Sequence, residues 1–142
     1  MSDFLKKPKA YVFVDASNVH YYLVKQRWNI NWEKFRKYCK NRYESPRFFY
    51  YEGIPSKFQC FDTDLGATIS QFMKAKQRKL NYFKYLKSIS FKIRWKPVGR
   101  VYDNTAGMFK HKCDFGVELT IDVLTGWMIM KLSGFSAAMG VL

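Results

Sequence analysis

The sequence predicts an α/β fold with a mostly parallel central sheet and helices on both faces, because strand-like and helix-like segments alternate along the chain. Three observations carry this expectation. Ala10-Tyr11-Val12-Phe13-Val14 is rich in β-formers and apolar on both faces, as a strand buried in a parallel sheet is. Ile69, Phe72, Met73, Leu80, Phe83 and Leu86 recur at helical spacing. The length, 142 residues, and the apolar fraction, 48%, fit a single domain spanning 1–142 with its own core.

In chain order, Asp15 closes the first strand, and Asp15-Ala16-Ser17-Asn18 supplies turn and N-cap chemistry for a helix over Val19–Gln26. Asn31 starts a second helix, with Trp32, Phe35 and Tyr38 at helical intervals up to Tyr43, and Pro46 breaks it. Arg47–Glu52 is a second strand, ended by Gly53 and Pro55, and Ser56–Leu65 reads as an irregular loop. A long helix is expected over Ala67–Leu86, then a third strand over Phe91–Trp95, where apolar and basic residues alternate. Pro97, Gly99 and Asn104–Gly107 mark a long connection. Asp114–Leu124 reads as a helix and Trp127–Leu132 as a fourth, buried strand followed by Ser133-Gly134. The apolar stretch Gly126–Leu142 falls short of the roughly 20 residues of a membrane-spanning helix.

Charge narrows the function classes. Lys and Arg number 25 against 11 Asp and Glu, a formal net charge of +14. Such a domain repels itself and favours a polyanionic partner, nucleic acid first and an anionic membrane surface second. The excess is concentrated: no Asp or Glu occurs from Leu65 through Tyr102, which holds Lys79, Arg94, Lys96 and Arg100 among other cations. Tyr82, Phe83, Tyr85 and Trp95 are interleaved with them. Cations that follow phosphates beside rings that stack on bases suit single-stranded RNA or loops; the plainer reading makes the rings core and the lysines a solvated face. Cys39, Cys60 and Cys113 form no CxxC pair, so reduced thiols of a cytoplasmic protein are expected rather than a disulfide framework. Met1–Lys9 lacks the apolar run of a secretory signal. His20 and His111 are the only histidines, and neither a nucleophile elbow nor a phosphate-cradling glycine loop accompanies them.

The carboxylates suggest chemistry. Asp15 stands at the carboxyl end of the first strand, the edge where open α/β sheets bind ligands; it either holds a metal or caps the turn. Asp114, Glu118 and Asp122, at i, i+4 and i+8, share one stripe of the expected helix. Val117, Ile121 and Leu124 form the neighbouring apolar stripe expected to face the sheet. Like charges at this spacing repel and need compensation, from a divalent cation or from basic neighbours. Carboxylates holding Mg²⁺ or Mn²⁺ inside a basic surface are the equipment of phosphodiester cleavage.

Val12-Phe13-Val14-Asp15-Ala16-Ser17-Asn18-Val19 and Lys112-Cys113-Asp114-Phe115-Gly116-Val117-Glu118-Leu119-Thr120-Ile121-Asp122 together resemble the NYN domain of the PIN-like superfamily of metal-dependent ribonucleases. Tyr50-Tyr51-Glu52-Gly53, Lys96-Pro97-Val98-Gly99-Arg100 and Ser133-Gly134 extend the resemblance over about Tyr11 to Gly134. It implies a three-layer α/β/α PIN-like fold, catalysis by Asp15, Asn18 and Asp122, metal ligation by Asp15 and Asp122 with Asp114 and Glu118 beside them, and RNA contact by Lys112. The chain departs from the family pattern at Gly116, Phe135 and Ala137, where the family has carboxylates, and at its carboxyl end, where the family adds a helix and a strand. Two readings follow: a metal-dependent ribonuclease, and an RNA-binding module on the same fold that has lost catalysis. A third is assembly, in which the apolar segment Phe135–Leu142 leaves an unfinished sheet edge that pairs with another chain as a homo-oligomer.

Overall fold

A computed structural model of the chain describes residues 6–56, 69–132 and 137–141. It is an α/β structure. Strand β1 (Lys9–Asp15) leads into helices α1 (Ala16–Gln26) and α2 (Trp32–Arg42), then strand β2 (Glu44–Ile54). Helix α3 (Ile69–Ser88) precedes β3 (Phe91–Pro97), a hairpin of β4 (Gly99–Asp103) and β5 (Met108–Lys112), helix α4 (Gly116–Leu132) and β6 (Ala137–Val141).

The main sheet has the order β3-β2-β1-β6, and every neighbouring pair is parallel. The period-two alternation of β1 and β2 splits the core between the two faces. Val12, Val14, Phe48 and Tyr50 point to one side, where Trp32 and Cys39 of α2 and Phe83 and Leu86 of α3 cover them. Tyr11, Phe13, Phe49 and Tyr51 point to the other, under Phe115 and Met130. Helices therefore cover both faces, as the apolar reading of Ala10–Val14 requires.

The chain builds the sheet outward from β1 to β3 and then returns to place β6 on the far side of β1. That reversal puts a topological switch point at the carboxyl end of β1, where Asp15 stands.

Two expectations are corrected. Trp127–Leu132 is not a strand; it is the second half of α4. A short apolar run does not distinguish a buried strand from a helix, and Leu, Met and Lys are good helix formers. Gly126, which looks like a breaker, is instead a contact point: a Cβ there would lie 3.3 Å from the Tyr11 ring. The strand expected there is supplied by Ala137–Val141, paired with β1. The long connection after Pro97 contains the β4–β5 hairpin, closed where Asp103 Oδ1 accepts from the Thr105 and Ala106 amides and Gly107 takes φ +65°. The expected irregular loop beyond Ser56, with Cys60, lies outside the described residues, as do residues 133–136, with Phe135, and the side chain of Ala137.

Gly53 shows how tightly the carboxyl edge is packed. A Cβ there would lie 2.8 Å from Cys113 Cβ and 2.9 Å from Val98 Cγ2. Gly53→Ala is expected to lower stability by about 1–3 kcal/mol, read as a reduced urea midpoint with an unchanged denaturant slope.

Candidate functional site

The carboxyl edge of the sheet collects Asp15 and Asn18 from the β1–α1 junction, Glu52 and Gly53 from β2, Lys96 from β3 and the segment Cys113–Glu118. Asp15 is the N-cap of α1. Its Oδ1 accepts from the Ser17 amide at 3.0 Å and the Asn18 amide at 3.4 Å, and Oδ2 accepts from Asn18 Nδ2 at 3.1 Å. Oδ1 thus satisfies helix-start donors that would otherwise lack partners, and Oδ2 holds the Asn18 side chain beside them.

Asp114 does not lie on the acidic helical stripe. The helix begins after Phe115, whose carbonyl accepts from Leu119 at 2.8 Å, and Asp114 Oδ1 accepts from the Gly116 amide at 2.7 Å. Asp114 is thus part of the helix start. The apolar stripe is corrected as well: Val117, Ile121 and Leu124 face outward, and the sheet is met by Leu119, Val123 and Met130. Glu118 and Asp122 occupy the rim between these faces.

Strand β3 answers that rim with two cations. Arg94 Nη2 donates to Asp122 Oδ1 at 2.9 Å and Arg94 Nε to Oδ2 at 3.1 Å, a bidentate pair. Tyr51 O–H donates to the same Oδ2 at 2.6 Å. Lys96 Nζ donates to Glu118 Oε1 at 2.8 Å and lies 4.7 Å from the centre of the Phe115 ring. Burial pushes the Asp122 carboxyl up, but the hydrogen bonds from Arg94 and Tyr51 outweigh it and hold the group below the usual carboxylate range. Burial, reinforced by the bond to Asp122, pushes the Tyr51 phenol far up, so it remains a donor. The hydrogen bond from Lys96 lowers Glu118.

Burial raises the Cys113 thiol pKa, Lys96 lowers it, and the charges of Glu118, Asp114 and Asp15 raise it further. Asp122 is engaged by Arg94 and Glu118 by Lys96. These carboxylates do not fit a divalent ion as they stand: each has at least one oxygen committed to an amide, a guanidinium, an ammonium or a phenol. Among the described residues no three His, Cys, Asp or Glu side chains group in a way that could hold a metal ion. Gly116 supplies no further carboxylate.

The expected RNA contacts divide. Arg94 and Lys96 are spent on the carboxylates, and Lys79 is paired with Glu52. Arg100 lies 3.5 Å from the Phe109 ring centre, and Lys112 is exposed at the end of β5. Most cations of the acid-free segment Leu65–Tyr102 lie on α3. This helix carries Lys74, Lys76, Arg78, Lys79, Lys84 and Lys87 and no acid. Two shallow clefts lie along it, one of about 290 Å³ between Pro55, Arg78 and Tyr82, and one of about 400 Å³ between Lys74, Gln77 and Asn81. Phe83 is core, as the plainer reading of the aromatics holds, but Tyr82, Tyr85 and Trp95 are 36–48% exposed. Sequence reasoning missed Tyr51 as the partner of Asp122; its place at the end of a strand, beside Glu52, is the one available signal.

No family model matches the chain, and no curated protein and no solved structure matches it. Among the described residues no helix is long and apolar enough to cross a membrane.

The lowered pKa of Asp122 sets a pH dependence. Its contribution is present above the unfolded carboxyl value, near pH 4, and is lost as pH falls through the lower folded value. Asp122→Asn is expected to cost about 1–2 kcal/mol near neutrality, and its stability difference from wild type, measured by urea titration, is expected to shrink as pH falls below about 4.

Proposed function

We propose that this chain is an RNA-binding module on the NYN, PIN-like plan, with the three-layer α/β/α arrangement of that family. The observation that carries the reading is the distribution of charge. The acids of the family motif are consumed internally, Asp15 and Asp114 by helix starts and Glu118 and Asp122 by Lys96 and Arg94. That leaves α3 as an acid-free cationic face. A surface of one sign with half-exposed tyrosines offers what a single strand needs: cations for phosphates and rings for bases. A solvated face without a polyanion ordinarily mixes both signs.

The ribonuclease reading, with Mg²⁺ or Mn²⁺ held by Asp15 and Asp122, is the competing proposal. The place of Asp15 at the carboxyl end of β1, a topological switch point, favours it, and the engagement of Asp122 by Arg94 and Tyr51 opposes it.

One experiment separates them. Labelled single-stranded RNA is titrated with the protein at several salt concentrations, with Mn²⁺ and with chelator. The binding reading expects affinity that falls steeply with salt, indifference to chelator and intact RNA. Replacing Lys74, Lys84 and Lys87 by Ala is expected to reduce the slope of log affinity against log salt by about 0.7 for each phosphate left without its lysine. Salt-independent binding, or none, sinks the proposal. Chelator-sensitive cleavage that disappears in Asp15→Asn restores the ribonuclease reading; Asn is chosen because it caps a helix as well as Asp does.

A further inference from the structure

Helix α4 is apolar on two sides. One side packs on the sheet through Leu119, Val123 and Met130. The opposite side bears Val117, Ile121, Leu124 and Met128, which are 54–72% exposed, flanked by Trp127 and Ile129 at about half exposure. The spacing of the four is four, three and four residues, the spacing of a helix–helix seam. A helix that is apolar all round is ordinarily buried all round. Six side chains of order 200 Å² each, at half exposure or more, leave roughly 600 Å² of contiguous apolar surface, at the upper limit for a monomer.

The strand that follows has the same character. Among the described strands β6 is an edge, paired with β1 alone, and its sequence Ala-Ala-Met-Gly-Val contains no charge and no proline. The other edge of the sheet is guarded: β3 alternates Lys92, Arg94 and Lys96 and ends at Pro97. The unguarded edge and the bare helix face thus belong to consecutive elements.

We propose that the bare face of α4 is an interface, and that its occupant is a second copy of this chain. A two-fold axis between the copies lays the α4 seam, which points away from the sheet, against its own copy. The seam then meets its equivalent, as an isologous contact requires. Area supports the assignment: a stable pair needs about 800 Å² from each partner. The roughly 600 Å² of the α4 face supplies most of that. Charge supports it too. In a chain of net charge +14, association is favoured on a face without positive charge, and the seam of α4 carries none: its acids Glu118 and Asp122 lie on the rim and its one basic residue is Lys131. Salt therefore acts on the two surfaces with opposite sign, weakening RNA binding at α3 and relieving repulsion between copies.

Sedimentation equilibrium on the nucleic-acid-free full chain, from about 1 to about 100 µM in about 0.5 M salt, tests this. The expected mass is twice 16.9 kDa. Ile121→Glu with Leu124→Glu, both at exposed positions, is expected to weaken the pair at least tenfold with an unchanged far-ultraviolet circular dichroism spectrum. Lys84→Glu on α3 is expected to leave the pair intact. If the double variant does not fold, Leu124→Cys decides instead: it is expected to form a disulfide-linked dimer under mild oxidation, where Lys84→Cys does not. A monomer throughout the range overturns the proposal, as does a dimer that the folded double variant leaves intact. A monomer that sediments with anionic lipid vesicles through the α4 face overturns it in favour of a membrane surface. None of these outcomes bears on RNA binding at α3, so the two proposals fail separately.

Discussion

The arrangement of this domain depends on a match of spacings between a strand and a helix. Two residues along β3 advance about 6.6 Å, and four residues along α4 advance about 6 Å. Arg94 and Lys96 therefore meet Asp122 and Glu118 in antiparallel order, with both pairs in good geometry at once. The Tyr51 hydroxyl, rising from the strand between, joins Asp122 and fixes the slide of α4 along the sheet. Asp122 is the more buried of these acids, so loss of Arg94 is felt more than loss of Lys96, whose pair with Glu118 is solvent-screened. Because the acids are neutralised from within, the rest of the chain keeps its positive excess on the outside.

That division shapes the whole surface. The face under α1, α2 and α3 is assembled largely from aromatic contacts, with Trp32 meeting Tyr50, Phe91 and Phe35 edge-on. An aromatic layer can support a helix whose charges are all positive, since packing holds α3 in place against its own repulsion. The opposite face has only α4 among the described helices, and the two acids of α4 are paired with Arg94 and Lys96 on its rim, which leaves its outer stripe uncharged. One side of the sheet is therefore cationic and wet, and the other neutral and apolar.

Much of this is legible in the sequence, and the exceptions have physical causes. β1 is readable because both its faces are apolar, and α2 because Asn31 precedes a helical row of aromatics, where its side chain accepts from the Lys34 amide. The second half of α4 is not readable, because a helix apolar on two sides has no periodic signal to set it apart from a buried strand. For the same cause the stripe Val117, Ile121 and Leu124 reads as inward-facing; composition does not say which of two apolar stripes meets the sheet. The four acids stand out by spacing and strand position, but their partners do not, since Arg94 and Lys96 read equally well as ligand-binding cations. The hairpin is hidden by brevity, with two five-residue strands around an Asp-Asn-Thr-Ala-Gly turn.

The position of β6 has a consequence for how the molecule comes into being. β1 is a central strand of the sheet, yet one of its two neighbours is Ala137–Val141, so Lys9 waits for Ala137, nearly the length of the chain away. Closing so long a loop is slow compared with forming the hairpin or pairing β1 with β2. Until that pairing forms, the buried strand β1 has one open flank. That order of assembly leaves the edge of a buried strand unpaired while the rest of the sheet forms, the kind of transient edge through which chains associate.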